Sequence, residues 1–194
     1  MEILLATWNP DKIAWMTEGF SALRLTVEAV DPSECDGCEE DGDTCAENAE
    51  KKARSVGVRG DAIVVAEDSG LFLDGLGGFP GTHTARWASG SDGDRAALLL
   101  QKLSGNPDRR ARFVSAVCLL FPDGGMRLCE GVMEGSITAS FRGGPDAGYG
   151  AIFELPSGLT IAETGEEVAA QENHRQRAMR AALKEILKWT GYKV

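Results

Sequence analysis

The stretch AIVVAEDSGLFLDGLGGFPGTHTARW, Ala62 to Trp87, decides how this chain is read. Its first five residues are apolar and do not alternate with polar ones. That is the pattern of a strand buried on both faces, in a parallel or mixed sheet covered by helices. Two acids and a Ser-Gly follow at Glu67–Gly70, then an apolar triplet, a run dense in glycine, and Arg86 with Trp87. Ligands in open α/β sheets collect at the carboxyl ends of strands. An aspartate just past the end of AIVVA therefore stands where chemistry is done. Asp68 is a candidate metal-binding carboxylate, and Ser69 and Gly70 add a hydroxyl and backbone donors beside it. A turn-capping aspartate is the plainer reading, and this stretch alone does not separate the two.

The pattern outside this stretch is also that of an α/β chain. EILLA (2–6) is a short apolar strand, and after the TWNPD turn Ile13, Met16, Phe20 and Leu23 recur at helical spacing. Leu25, Val27 and Ala29 alternate as a second strand, and residues 31–43 read as an acidic, glycine-rich loop. Thr44 with Glu47 three residues on forms a capping box, which opens a helix reaching Val56. Further on, Ser91–Leu103 reads as a helix. RFVSAVCLLF (112–121) and MRLCEGVMEGSI (126–137) read as long strands joined by a PDGG turn. FRGGPDAGYG (141–150) reads as a loop, AIFEL (151–155) and LTIAE (159–163) as short strands, and Thr164 with Glu167 as a second capping box before a last helix ending near Trp189. These elements predict one α/β domain over residues 1–194, with a mixed sheet and two long antiparallel strands near its middle.

Composition narrows the function. A chain of 194 residues that is 43% hydrophobic and 26% charged has the globular norm and enough length for a real core. Its formal net charge of −10 argues against a nonspecific grip on nucleic acid, which needs a basic face. No apolar run approaches the roughly 20 residues of a membrane span. The N-terminus lacks a basic start and a long apolar region, so the expected location is the cytoplasm, away from membranes. Among five cysteines, Cys35 and Cys38 form a CxxC, while Cys45, Cys118 and Cys129 are scattered. With His83 and His174 distant in sequence, one CxxC is too little for zinc. Its acidic surroundings raise thiol pKa, against a redox pair.

A second candidate site lies at the first turn. Thr7, Trp8, Asn9, Pro10, Asp11 and Lys12 join a buried strand to a helix. There helix N–H groups and the dipole face outward, and Lys12 adds charge. The turn reads either as a phosphate cradle or as an ordinary helix cap with a surface lysine.

Several segments together resemble the inosine triphosphate pyrophosphatase family. TWNPDK (7–12) resembles its (S/T)xNxxK turn, and TCAENAEKKA (44–53) its TFxENAxxKA helix. AEDSGLFLDGLGGFPGTHTARWA (66–88) resembles its DDSGLxVDALxGxPGxxSARYA signature. GPDAGYGAIF (144–153) resembles its GFGYDPIF loop, and ENHRQRAM (172–179) its SHRGRAL helix. The matches occur in order from Thr7 to Met179. The resemblance implies an elongated α/β domain with a mixed sheet, two lobes and a central substrate cleft. It implies Mg²⁺-dependent hydrolysis of nucleoside triphosphates to monophosphate and diphosphate, with a preference for inosine, deoxyinosine and xanthosine triphosphates, by a homodimer. Carried over by position, Thr7 to Lys12 would bind the triphosphate. Asp68 would be the general base and a metal ligand, with Glu47 a second metal carboxylate. Ser69 would contact substrate, Lys52 and Arg86 would neutralise phosphate, and Gly148, Tyr149, His174 and Arg175 would reach the nucleotide.

The chain departs from the family pattern at its base-reading end. The family's stacking aromatic is Ala147 here, its base-reading aspartate is Gly150, the next proline is Ala151, and a lysine near the last helix is Ala169. The serine before the histidine is Asn173. These changes predict a base preference broadened or moved away from the usual 6-oxopurines, unless Asp146 or Tyr149 takes over. The alternatives are a pyrophosphatase for another modified or pyrimidine nucleotide, or a nucleotide-binding protein with little turnover.

Overall fold

The computed structural model describes residues 1–23, 25–34, 37–164 and 173–191. Cys35, Glu167 and Ala169 lie outside the described residues, and with them the CxxC pair, the second capping box and the position of the family's lysine. The strands are β1 (Glu2–Leu5), β2 (Thr26–Ala29), β3 (Ile63–Leu73), β4 (Pro80–Gly81), β5 (Arg110–Leu120), β6 (Met126–Ile137) and β7 (Phe153–Glu154). The helices are α1 (Pro10–Phe20), α2 (Cys45–Val56), α3 (Asp92–Lys102) and α4 (His174–Thr190), with short 3-10 turns between elements. The strand order is β2-β1-β3-β5-β6-β7, and β4 pairs with β3. β1 is parallel to both β2 and β3, whereas β3–β4 and β6–β7 are antiparallel, so the sheet is mixed as predicted.

The chain divides into two compact units. One takes in Met1–Asp68, Ser115–Gly131 and Arg175–Val194; the other takes in Ser69–Val114 and Val132–His174. β3, β5 and β6 contribute to both. In the first unit, Ile3, Leu5, Ile63, Val65, Val117 and Leu119 of the strands pack against Met16 and Phe20 of α1 and Ala178, Met179, Ala182 and Ile186 of α4. The α4 residues recur at helical spacing, which lays one apolar stripe on the sheet. A Cβ at Gly19 would lie 2.8 Å from Met179 Cε, so glycine lets α1 meet that side chain closely. In the second unit, Leu71, Leu73, Ala96, Leu99, Leu103, Ile137, Ile152 and Phe153 form the core.

Three sequence expectations need correction. β3 does not stop at Ala66; it runs unbroken to Leu73, so Asp68 sits inside a strand rather than past its end. Glu67 to Gly70 look like terminators, yet Leu71 and Leu73 return to a core, and the polar residues between find partners, described below. A tight contact with β4 keeps the strand in place. At Gly70 a Cβ would collide with the Gly81 carbonyl and lie 3.2 Å from the Phe72 ring, so glycine is required by that approach. LTIAE is not a strand. Thr160 and Glu163 close a capping box on a 3-10 turn over Ile161–Glu163, and only a single bridge, Glu154 to Thr160, is sheet-like. Finally, the PDAGYG loop is a 3-10 segment over Pro145–Ala151 with a non-helical kink at Gly148.

Candidate active site

The first unit gathers the charged residues. α1 begins at Asn9, whose Oδ1 accepts from the N–H groups of Asp11 (2.9 Å) and Lys12 (3.3 Å), with Pro10 at the first helical position. The cap reading of this turn is therefore realised. Thr7 is buried, and its hydroxyl oxygen accepts from Asn9 N–H at 3.4 Å. Trp8 is half-exposed, its indole pinned by a 2.8 Å bond from Nε1–H to the Val30 carbonyl. Lys12 points to β3, where its ammonium lies 2.8 Å from Glu67 Oε2 and 3.4 Å from the Glu67 carbonyl oxygen.

Glu67 has no exposed surface. Ser115 of β5 donates to its Oε1 at 2.8 Å. Its Oε2 faces the Lys12 ammonium as an ion pair without an aligned hydrogen bond. Burial pushes this carboxyl upward, but the Lys12 and Arg175 charges and the bond from Ser115 outweigh it. Glu67 is held below the usual range. The Arg175 guanidinium lies 5.8 Å from the Trp15 ring.

Asp68 is buried beside it and is gripped from α2. Lys52 approaches Oδ1 at 3.2 Å and Asn48 Nδ2 donates to Oδ2 at 3.2 Å. Burial raises the Asp68 carboxyl, and Lys52, Lys12 and Asn48 pull it down without cancelling the rise. Lys52 also donates to the Glu67 carbonyl at 2.9 Å and pairs with Glu40 at 3.1 Å. Burial lowers the Lys52 ammonium, and the Asp68 and Glu40 charges more than reverse that, so it stays protonated. The result is a chain of alternating charge, Glu40–Lys52–Asp68, buried at Lys52 and Asp68 and partly exposed at Glu40, with Glu67–Lys12 alongside. Charges this far from water persist because each has a partner.

The second unit contains the other predicted residues. Ser69 is partly buried within β3, directly after Asp68, and Arg86 is exposed in the turns that follow β4. Thr84 Oγ1 accepts from Leu71 N–H at 2.7 Å and donates to the Gly81 carbonyl at 2.6 Å. Tyr149 is buried. Its hydroxyl accepts from Trp87 Nε1–H at 2.8 Å and donates to the Thr84 carbonyl at 2.9 Å. Gly148 is buried with φ 56°, and a Cβ there would lie 2.7 Å from Asp92 Cβ, so its place is closed to other residues. His174 stacks on Phe113 with centroids 4.9 Å apart, and Phe113 in turn touches Phe153. Ala147 is exposed.

Buried, paired carboxylates next to two lysines in an α/β sheet suit phosphate chemistry, and comparison with known proteins fixes the family. The Ham1 family model matches residues 3–185. This chain belongs to the Ham1 family. It is 40% identical to a non-canonical purine NTP pyrophosphatase homolog of Halalkalibacterium halodurans, with 97% of each chain covered. It is 36% identical to a dITP/XTP pyrophosphatase of Symbiobacterium thermophilum over 95% of this chain and 94% of that one. Among solved structures, the HAM1 protein of Coxiella burnetii superposes with a TM-score of 0.85 at 31% identity, covering 97% of this chain and 99% of that one. The α/β fold and the family read from the motifs are both borne out.

Within this Ham1-family chain, the first unit brings together Lys12, Lys52, Asp68 and, through Glu67, Arg175. Glu47 is exposed, and its carboxylate accepts from Thr44 N–H in the capping box at the start of α2. The carboxylate that shares Lys52 with Asp68 is Glu40, from the acidic segment that the sequence shows only as a loop. Asn48, Glu67 and Ser115 also escaped the reading. Ser115 carried a signal, being a lone polar residue inside an apolar strand; Glu40 carried none.

Proposed function

We infer that this chain is a nucleoside triphosphate pyrophosphatase acting on non-canonical purine nucleotides such as dITP and XTP, and that it releases monophosphate and diphosphate. The observation that carries this is Asp68, buried and held by Lys52 and Asn48, in a chain of the Ham1 family. Asp68 accepts the proton of a water molecule whose oxygen attacks the α-phosphorus. The bond from that phosphorus to the bridging oxygen breaks, and diphosphate leaves with the electron pair. Lys12, Lys52 and Arg86 offset the charge gathering on the phosphate oxygens. The N-terminal end of α1, Thr7 to Lys12, takes the triphosphate, with Asn9 exchanging its cap bonds for substrate. Ser69 contacts the phosphates, and Gly148, Tyr149, His174 and Arg175 form the nucleotide end.

The residues present fit Mg²⁺. Among the described residues no three His, Cys, Asp or Glu side chains converge on one point. Mg²⁺ does not need such a cage, since it binds through one or two carboxylates plus substrate phosphates. Asp68 would hold it, with Glu47 as the second carboxylate through the oxygen its capping bond leaves over, or Glu40, which shares Lys52 with Asp68. When bound, the ion supplies charge neutralisation on the phosphates. We read the two units as one catalytic domain, because three strands run through both. We read the chain as a cytoplasmic homodimer that leaves nucleic acid and membranes alone: the dimer rests on resemblance, the rest on the net charge of −10 and the want of a long apolar run in the sequence.

One observation favours a broadened base preference. Tyr149 is committed to Trp87 and Thr84, so it does not replace the aromatic lost at Ala147. The test is diphosphate release with Mg²⁺ across natural, deaminated and modified nucleoside triphosphates. Cleavage of dITP and XTP that Asp68→Asn lowers about 10²- to 10⁴-fold is the expected result. No release from any triphosphate would overturn the assignment, and a sharp exclusive preference for 6-oxopurines would overturn the broadened specificity.

A further inference from the structure

Asn48 stands one helical turn before Lys52 on α2 and has no exposed surface. Its amide works in two directions. Oδ1 accepts from the Gly42 backbone N–H at 2.8 Å, and Nδ2 donates to Asp68 Oδ2 at 3.2 Å. The first bond determines the second. A backbone N–H can only donate, so it must meet the amide oxygen, and the amide nitrogen is then turned toward Asp68. Gly42 makes this possible, because a Cβ there would lie 2.7 Å from Asn48 Oδ1. Lys52 meanwhile takes the other oxygen, Oδ1, at 3.2 Å. Each oxygen of Asp68 thus has its own donor from one face of α2, at positions four apart, as side chains on adjacent helical turns allow.

We propose that Asn48 is a positioning residue for the reaction: it fixes the plane of the Asp68 carboxylate and leaves a defined lone pair for the attacking water. The inference rests on Asp68 being the general base. Asn48 acts through Asp68 and touches no substrate. A merely structural asparagine would use its oxygen to anchor the Gly42 loop and have no effect that depends on Asp68.

The experiment is a set of variants assayed for diphosphate release from dITP with Mg²⁺, and melted without metal in EDTA. Asn48→Ala is expected to lower kcat about 10- to 100-fold with KM little changed, the usual scale for residues supporting an active-site carboxylate. Asn48→Asp keeps the acceptor for Gly42 and puts a second carboxyl beside Asp68; ionised, it repels Asp68, and protonated, it shares its proton with Asp68 and weakens it as a base, so kcat falls as far either way. In the Asp68→Asn background, Asn48→Ala costs no further kcat, because the group it acted through is gone. The exchange Asn48→Asp with Asp68→Asn restores a donor–acceptor pair, so it melts above Asn48→Asp alone while staying inactive. Wild-type kcat in Asn48→Asp, or equal losses from Asn48→Ala in both backgrounds, overturns the inference. Asp68→Asn inactive beside a fully active Asn48→Ala overturns it while sparing the base assignment. A fully active Asp68→Asn overturns the base assignment itself.

Discussion

Lys52 is the side chain on which the charged cluster of the first unit converges, and replacing it with methionine isolates what that convergence is worth. Methionine keeps the stem and removes the ammonium. Lys52 is only 7% exposed, and its ammonium meets Asp68 Oδ1 at 3.2 Å, Glu40 Oε1 at 3.1 Å and the Glu67 carbonyl at 2.9 Å. Removing one partner of a buried ion pair costs about 3–5 kcal/mol, since the other charge stays behind. Two features place this case at the lower end. Glu40 is partly exposed and can turn to water, and burial already raises Asp68, which can take a proton instead of remaining charged. About 3 kcal/mol in a chain of this length lowers the melting temperature by roughly 6–12 °C. The pH dependence has a definite sign. Losing Lys52 raises Asp68 further, and a carboxyl raised in the folded state favours folding at low pH and loses that advantage as pH climbs through its folded pKa. The deficit of Lys52→Met is therefore largest at neutral pH and shrinks on acidification. Adding Asp68→Asn removes the stranded charge and recovers a good part of the loss. Calorimetry in EDTA from pH 5 to 8 reads all of this. A single variant melting within about 2 °C of the parent, or a double variant less stable than Lys52→Met, would refute the reasoning.

Asp68→Asn alone should reduce diphosphate release about 10²- to 10⁴-fold, the usual contribution of a general base. A diphosphate-release assay checks this, and near-parental turnover would contradict the account of Asp68. Burial pushes the thiols of Cys45 and Cys118 up to about 12 and that of Cys129 to about 11, with the Asp68 charge adding to Cys45. In native protein at pH 8 these three should resist iodoacetamide, while Cys38, raised mainly by burial but partly accessible, labels before them. Peptide mass spectrometry shows the order, and Cys45 reacting as fast as Cys38 would count against it. At Gly150 a Cβ would rest 3.6 Å from Ile161, an ordinary contact, so Gly150→Asp should fold. It should shift kcat/KM toward dITP over dATP by about tenfold or more, the scale of one well-placed polar reader; an unchanged ratio across the nucleotide panel would show that base reading lies elsewhere.

What the sequence made legible, and what it hid, divides along the range of the interactions. Caps and periodicity are local, so α1 behind Asn9, α2 behind its Thr44–Glu47 box and the long β5–β6 pair could be placed from patterns a few residues wide. The run of β3 through Glu67 and Asp68 could not. Read locally, two acids and a Ser-Gly end a strand, because a buried carboxylate without a partner is prohibitive. The partners exist, but they come from far along the chain. Lys12 is 55 residues away, Ser115 is 48, and Asn48 and Lys52 are 20 and 16. The same limit explains Glu40, which in sequence is one acid among many and acquires a role only from the lysine it meets. Glu47 shows the converse, since its local pattern had already assigned its carboxylate to the helix start. An acid adjoining an apolar strand therefore poses a question that local propensity cannot answer, namely where its cation is. In this chain two lysines on the helices flanking β3 answer it, one at the third residue of α1 and one in the third turn of α2, and that pairing lets the strand continue through its own buried carboxylates.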